Sequence, residues 1–220
     1  SIPEMPNAIP YITSYYKHTW GFCITHEDRL KMEDGEYEVN IRGSLEPGHL
    51  TYGELQIPAT VETEEEVFFS TYICHPSMAN NELSGPVVAT FLAKWIHELS
   101  VRRYNYRFVF IPETIGSITY LSRHWQEMKA RVIAGFNLTC VGDDRCYSYV
   151  PTRRGNTIAD QVAKHVLQHQ DPKFIEYRFL DRGSDERQYC APGLSLPFFP
   201  LFLLSLLPLF LFPLLSPFLS

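Results

Sequence analysis

From Val67 to Leu180 the chain alternates between two kinds of apolar pattern, and this alternation restricts the fold more than any other feature. Val67–Cys74 (VFFSTYIC) is a β-branched and aromatic run of the sort that makes a buried strand. Ser84–Ser100 then places Val87, Val88, Phe91, Leu92, Trp95, Ile96 and Leu99 at helical spacing. Tyr106–Ile111 returns to a strand pattern, Ser117–Lys129 to a helix and Val132–Val141 to a strand. Cys146–Val150 predicts a short strand, and Asn156–Gln168 a helix with Ile158, Val162, Val166 and Leu167 on its apolar face. Phe174–Leu180 predicts a further strand. Strands separated by helices of this length predict an α/β fold with a mainly parallel sheet. Upstream, Tyr37, Val39 and Ile41, then Leu50 and Tyr52, alternate on either side of Pro47 and Gly48, predicting two short antiparallel strands.

Charge and cysteine usage narrow the function classes. With 19 Lys+Arg against 25 Asp+Glu the formal charge is -6, which argues against a nucleic-acid binder. The 5 cysteines are an odd number with no CxxC spacing, which fits a reduced, cytoplasmic setting. The chain starts at Ser1 with no signal-peptide pattern and reads as a fragment. Residues Leu194 to Ser220 contain only 12 Leu, 6 Phe, 5 Pro and 4 Ser. Prolines at 197, 200, 208, 213 and 217 and the lack of Lys or Arg argue against a membrane helix. Codons that begin with two pyrimidines encode only these four residues, so the stretch reads as a translated pyrimidine-rich repeat and not as native protein. The expected core is therefore 1–35 with 66–193, and 36–65 belongs to a small β-rich insert.

The chemistry-bearing residues follow the strands. His75 comes after the first core strand, Glu113 (in PETIGS) after the second and Asp143 and Asp144 after the third; Asp181 and Asp185 follow the strand at 174–180. An imidazole and several carboxylates at one sheet edge are what a zinc-dependent hydrolase needs, with metal-activated water and a carboxylate to carry its proton. Each motif alone has a plain structural reading: GDD and GSD are turn sequences, and PETIGS resembles a helix start. His165 and His169 are spaced i, i+4, but HVLQH lacks the Glu of HExxH, so a helix surface is expected.

The runs NAIPYITSYYKHTWGFC, STYICHPSMANNELSGPVVA, FIPETIGSITYLS and RGSDERQYCAPG together resemble a bacterial aminopeptidase-like family of uncharacterised proteins, over about residues 7–193. That family looks like a distant branch of the di-zinc aminopeptidases and glutamate-carboxypeptidase-like exopeptidases, often linked to polysaccharide biosynthesis. The resemblance implies a three-layer zinc-exopeptidase sandwich with a β-rich insert, here truncated, and one or two zinc ions. His75 falls on the first histidine ligand and Glu113 on the acidic pair that supplies base and ligand. The bridging-aspartate position falls on Asn81, a neutral amide, with Glu82 beside it. Another aspartate position falls on Thr139, for which Asp143 or Asp144 could substitute. Asp185 falls on the aspartate of a serine-aspartate-histidine motif, with Glu186 in place of the histidine. The last histidine ligand belongs beyond Gly193, where no His occurs. A mononuclear centre of His75, an acid from Asn81/Glu82, Glu113 and that missing histidine is the alternative to a di-zinc one. The implied substrate is a small peptide or amide, with no nucleic acid and no membrane unless the tail is genuine. The rival expectation is a non-catalytic binding protein in polysaccharide biosynthesis.

Overall fold

A computed structural model describes residues 1–12, 17–44, 46–75, 78–143, 146–181 and 183–202. Among the described residues, seven strands form one sheet: β1 (Gly53–Ile57), β2 (Glu66–Tyr72), β3 (Asn105–Ile111), β4 (Val132–Leu138), β5 (Ser148–Tyr149), β6 (Ile175–Glu176) and β7 (Phe198–Phe202). Their order is β1-β3-β2-β4-β7-β5-β6. The central four, β3, β2, β4 and β7, run parallel, while β1 is antiparallel to β3 and β5 to β7. The helices are α1 (His26–Lys31), α2 (Ser84–Glu98), α3 (Ile115–Arg131), α4 (Ile158–Gln170) and α5 (Asp185–Tyr189).

The layers follow from the period-two alternation of β2, all of whose residues are buried. Phe68 packs with Tyr120, Leu121 and Met128 of α3 and Tyr189 of α5. Its neighbours Val67 and Phe69 pack with Ala89, Ala93 and Ile96 of α2. Helices therefore cover both faces of the sheet, as the near-continuous apolar strands require. Arg107 on β3 is fully buried beneath α3. Its guanidinium meets Glu66 (Nε to Oε1 2.9 Å), Tyr120 (3.0 Å) and Glu127 (2.8 Å), tying the helix to two strands.

β3 and β4 flank β2 on opposite sides, so the chain goes from β2 to one side and then crosses back past it to the other. The C-terminal edge beside β2 is therefore a topological switch point, where α/β sheets place their sites. Gly85 lets α2 press against this edge. A Cβ there would lie 2.2 Å from the Leu138 carbonyl oxygen and 2.3 Å from Thr71 Oγ1. Those two atoms share a 2.8 Å hydrogen bond that joins β2 to β4.

The chain divides into two compact units, Ser1–Pro47 and Gly48–Ser220. In the first unit α1 is capped by Thr25, whose hydroxyl accepts the Asp28 N–H at 3.1 Å, and none of its residues is buried. The aromatic run Ser14–Gly21 falls partly outside the described residues, and no helix forms over 17–21.

Two expectations are corrected. Tyr37–Ile41 forms no strand, and the run around Tyr52 gives β1, which joins the main sheet through β3 instead of a local hairpin. Phe174–Leu180 yields only the two-residue β6, then a 3-10 turn at Phe179–Asp181. The Leu/Phe/Pro/Ser stretch starts inside the fold: Leu196 is buried against α5 and α3, and β7 lies between β4 and β5. No described helix is long and apolar enough to cross a membrane.

Gly85→Ala should lower the stability of the protein by about 3 kcal/mol through overpacking of helix against backbone. Urea unfolding should show a lower midpoint with an unchanged slope.

Candidate metal and acid-base site

Two groups of side chains meet at the C-terminal edges of β2 and β3. The first follows β2. Cys74, His75 and Glu82 offer donor atoms that all lie within 4.8 Å of one another. His75 Nδ1 is 2.8 Å from Glu82 Oε1 and 3.2 Å from Cys74 Sγ, and Sγ is 3.7 Å from the same Glu82 oxygen. The Cys74 backbone N–H donates to Glu82 Oε2 at 2.6 Å. The His75 side chain is 21% exposed and that of Glu82 7%, so the group is open on one side only. Burial pushes the Cys74 thiol up to about 11, with the nearby Glu82 and Glu113 carboxylates adding to the rise.

Glu82 is presented by a π-helical turn, Ala79–Leu83, that leads into α2. Such turns widen the helix by one residue and occur often at functional sites. Here the turn points successive side chains in different directions. Asn80 accepts the Gly142 N–H at 2.8 Å and donates to Asp143 at 2.9 Å, while Ser84 accepts the Val141 N–H at 2.9 Å. Both tie the turn to the loop after β4. The Asn81 amide faces Cys140 Sγ at 3.5 Å, and Thr139 donates to the Asn81 carbonyl at 3.4 Å.

The second group follows β3. Glu113, Thr114 and Ile115 form a tight γ-turn in which the Ile115 N–H donates to the Glu113 carbonyl at 2.7 Å. Thr114 sits at its centre with φ 63° and ψ -66°, a strained conformation for a β-branched residue. Asp185, fully buried at the start of α5, holds the turn. Its Oδ1 accepts the Thr114 N–H at 2.6 Å and the Ser117 hydroxyl at 2.9 Å. Burial pushes the Asp185 carboxyl up to about 7, Glu113 and Glu186 reinforce the rise, and the two hydrogen bonds oppose it. A relay of donors ends on Glu113: Asn137 donates to the Tyr72 hydroxyl, which contacts Ser184 Oγ, which donates to Glu113 Oε1. The Glu113 backbone N–H donates to Cys74 Sγ at 3.1 Å and links the two groups.

Of the residues singled out from sequence, His75 and Glu82 come together, and Glu113 lies beside them through Cys74. Asp185 is adjacent to Glu113 but supports the backbone. Asn81 faces Cys140, and Asp143, in the loop after β4, accepts from Asn80; both lie outside the Cys74–His75–Glu82 group. Asp144 lies outside the described residues, and Asp181 pairs with Arg178 on the surface. His165 and His169 are exposed on α4, as expected of a helix surface. Sequence reasoning missed Cys74, Ser184, Tyr72 and Asn137; the available signal was Cys74 directly beside His75 at a strand end. A cavity of about 300 Å³ lined by Thr152, Arg153, Arg154, Cys190, Ser195 and Leu196 contains none of these groups.

Comparison with known proteins agrees with this architecture. A family model described as a domain of unknown function (DUF4910) matches residues 2–205. The chain belongs to this family. The match runs past Gly193 into the Leu/Phe/Pro/Ser stretch. The chain is 46% identical over 197 residues to a Clostridium acetobutylicum protein named for polysaccharide biosynthesis and an aminopeptidase-like domain, covering 90% of this chain and 44% of that one. A crystal structure from the same organism, named as a peptidase, superposes with a TM-score of 0.84 at 44% identity, covering 93% of this chain and 47% of that one. An aminopeptidase from Aneurinibacillus sp. strain AM-1 shares the fold, with a TM-score of 0.58 at 16% identity over 71% of this chain and 40% of that one. The chain thus spans about half the length of these relatives. The chain shares with these proteins an α/β fold built on a mainly parallel sheet.

The raised Asp185 carboxyl sets a pH dependence. Its folded value of about 7 lies above the roughly 3.9 of an unfolded Asp, so the native state holds the extra proton between them. Its contribution to stability is therefore present at low pH and declines as pH rises from about 4 to about 7. In metal-free protein, urea midpoints across that range should fall less steeply for Asp185→Asn than for wild type. Parallel slopes would show that Asp185 ionises normally.

Proposed function

We propose that the full-length protein is a metal-dependent hydrolase of peptide or amide bonds, using zinc at the His75/Glu82 group and Glu113 as the acid-base residue. The observation that carries this reading is the 2.8 Å contact between His75 Nδ1 and Glu82 Oε1, next to Glu113 at the switch-point edge of the sheet. The donor chemistry fits the metal: imidazole and carboxylate, with a thiol alongside, are borderline-to-soft donors of the kind zinc takes. When bound, zinc supplies Lewis acidity to the attacking water and the substrate carbonyl.

The chain's own residues do the rest. Ser184 fixes Glu113 Oε1 through a donated hydrogen bond, backed by Tyr72 and Asn137. Glu113 takes a proton from the attacking water and returns it to the leaving amine. Asp185 keeps the γ-turn closed, which sets the direction in which the Glu113 side chain leaves the backbone. A second reading, a non-catalytic binding role in polysaccharide biosynthesis, is favoured by the neutral amide of Asn81, turned toward Cys140 at the position where the resemblance implies a bridging carboxylate.

Full-length protein should retain zinc after gel filtration, and His75→Ala should lose it. Glu113→Gln should keep the zinc and lower kcat on aminoacyl substrates by about 10²–10⁴-fold. Zinc near zero in wild type, unchanged by His75→Ala, would sink the hydrolase reading; robust turnover would exclude the binding-only one.

A further inference from the structure

We infer that Cys74 is a direct thiolate ligand that joins His75 and Glu82 on a single zinc ion. The inference rests on the hydrolase reading for the metal's presence and adds to it the donor set and the ion count.

Three observations converge on Cys74. The first is distance. In a tetrahedral zinc site the edges between donor atoms are about 3.3–3.6 Å, given Zn–S near 2.3 Å and Zn–N or Zn–O near 2.0–2.1 Å. The triangle here measures 3.2 Å (S to N), 2.8 Å (N to O) and 3.7 Å (S to O). The S–O edge lies about 0.1 Å above that range, and the S–N and N–O edges lie about 0.1 and 0.5 Å below it and open when an ion replaces the hydrogen bonds.

The second is the surrounding support. The Glu113 N–H points at Cys74 Sγ at 3.1 Å, which stabilises a thiolate. The Cys74 N–H holds Glu82 Oε2 at 2.6 Å and leaves Oε1 toward the sulfur and imidazole. Backbone donors thus orient two of the three ligands before any ion arrives. On binding, the thiol and the imidazole–carboxylate pair release their protons to solvent.

The third concerns number. A second ion needs a bridging carboxylate, and the residue at that position, Asn81, is a neutral amide directed at Cys140. Asp143 is engaged by Asn80 on the far side of the turn. Among the described residues, Cys74, His75 and Glu82 are the one group of three or more such donors close enough to share an ion.

The test uses full-length protein stripped by chelation and titrated with Co²⁺ alone. Wild type should bind one cobalt per chain with a near-ultraviolet sulfur-to-cobalt charge-transfer band. Cys140→Ser and Cys146→Ser should keep both. Cys74→Ser should bind cobalt at least about tenfold more weakly and lack the band. Cys74→Asp, which restores an anionic donor and guards against misfolding of the serine variant, should bind cobalt without the band. X-ray absorption of the zinc form should show one sulfur at about 2.3 Å. Cobalt bound without the band, a band lost with Cys140→Ser or kept in Cys74→Ser, or two ions per chain would overturn the inference while leaving the hydrolase reading standing. Failure of wild type to bind any metal would overturn both.

Discussion

The buried carboxylate of Asp185 is the contact on which the geometry of the edge depends. Thr114 is held at a positive φ that costs on the order of 1–3 kcal/mol for such a residue. Hydrogen bonds to a carboxyl group are worth about 0.5–1.5 kcal/mol each when it is neutral and more when it is charged, and Asp185 receives two, from the Thr114 N–H and the Ser117 hydroxyl. The strain is therefore offset locally, by a residue some seventy positions later in sequence. The same contact docks α5 against the start of α3 and brings Ser184, the residue before Asp185, onto Glu113. One carboxylate thus fixes both the backbone that carries Glu113 and the hydroxyl that orients it.

On the opposite side of β2, the π-helical turn performs a comparable sorting. An ordinary α-turn places successive side chains 100° apart around a narrow helix. The wider turn lets Asn80 and Ser84 bind the loop after β4 while Glu82 reaches back to Cys74 and His75. Gly85 follows immediately because the helix must then approach the Leu138 carbonyl more closely than any Cβ permits.

Much of this was legible in the sequence, for identifiable reasons. The strand and helix runs of the central sheet carry strong periodicity, and their order predicts helices on both faces with chemistry at the strand ends. His75 and Glu113 stand directly after β2 and β3, so strand position alone locates them. Glu82 against Asn81 is a different problem. Which of two neighbours faces the site depends on the helical register, and the π-turn shifts that register without a sequence mark. Ser184, Tyr72 and Asn137 join the site only through contacts between segments far apart in the chain. Alternation at Tyr37–Tyr52 misled because local pattern carries no information about the partner: β1 finds its hydrogen bonds on β3, more than fifty residues downstream.

The position of β7 has a consequence for how the chain assembles. Among the described residues it is the last strand in sequence order, yet it occupies an internal place between β4 and β5. During synthesis β5 and β6 emerge before β7, so the edge of β4 lacks its native partner until residues 198–202 have been made. Closure of that gap is a long-range step, slow compared with forming the β2–α2–β3 unit. Residues 198–202 thus act as the keystone of the sheet: without them β5 and β6 would be a detached two-strand flap and the edge of β4 would be open to other chains.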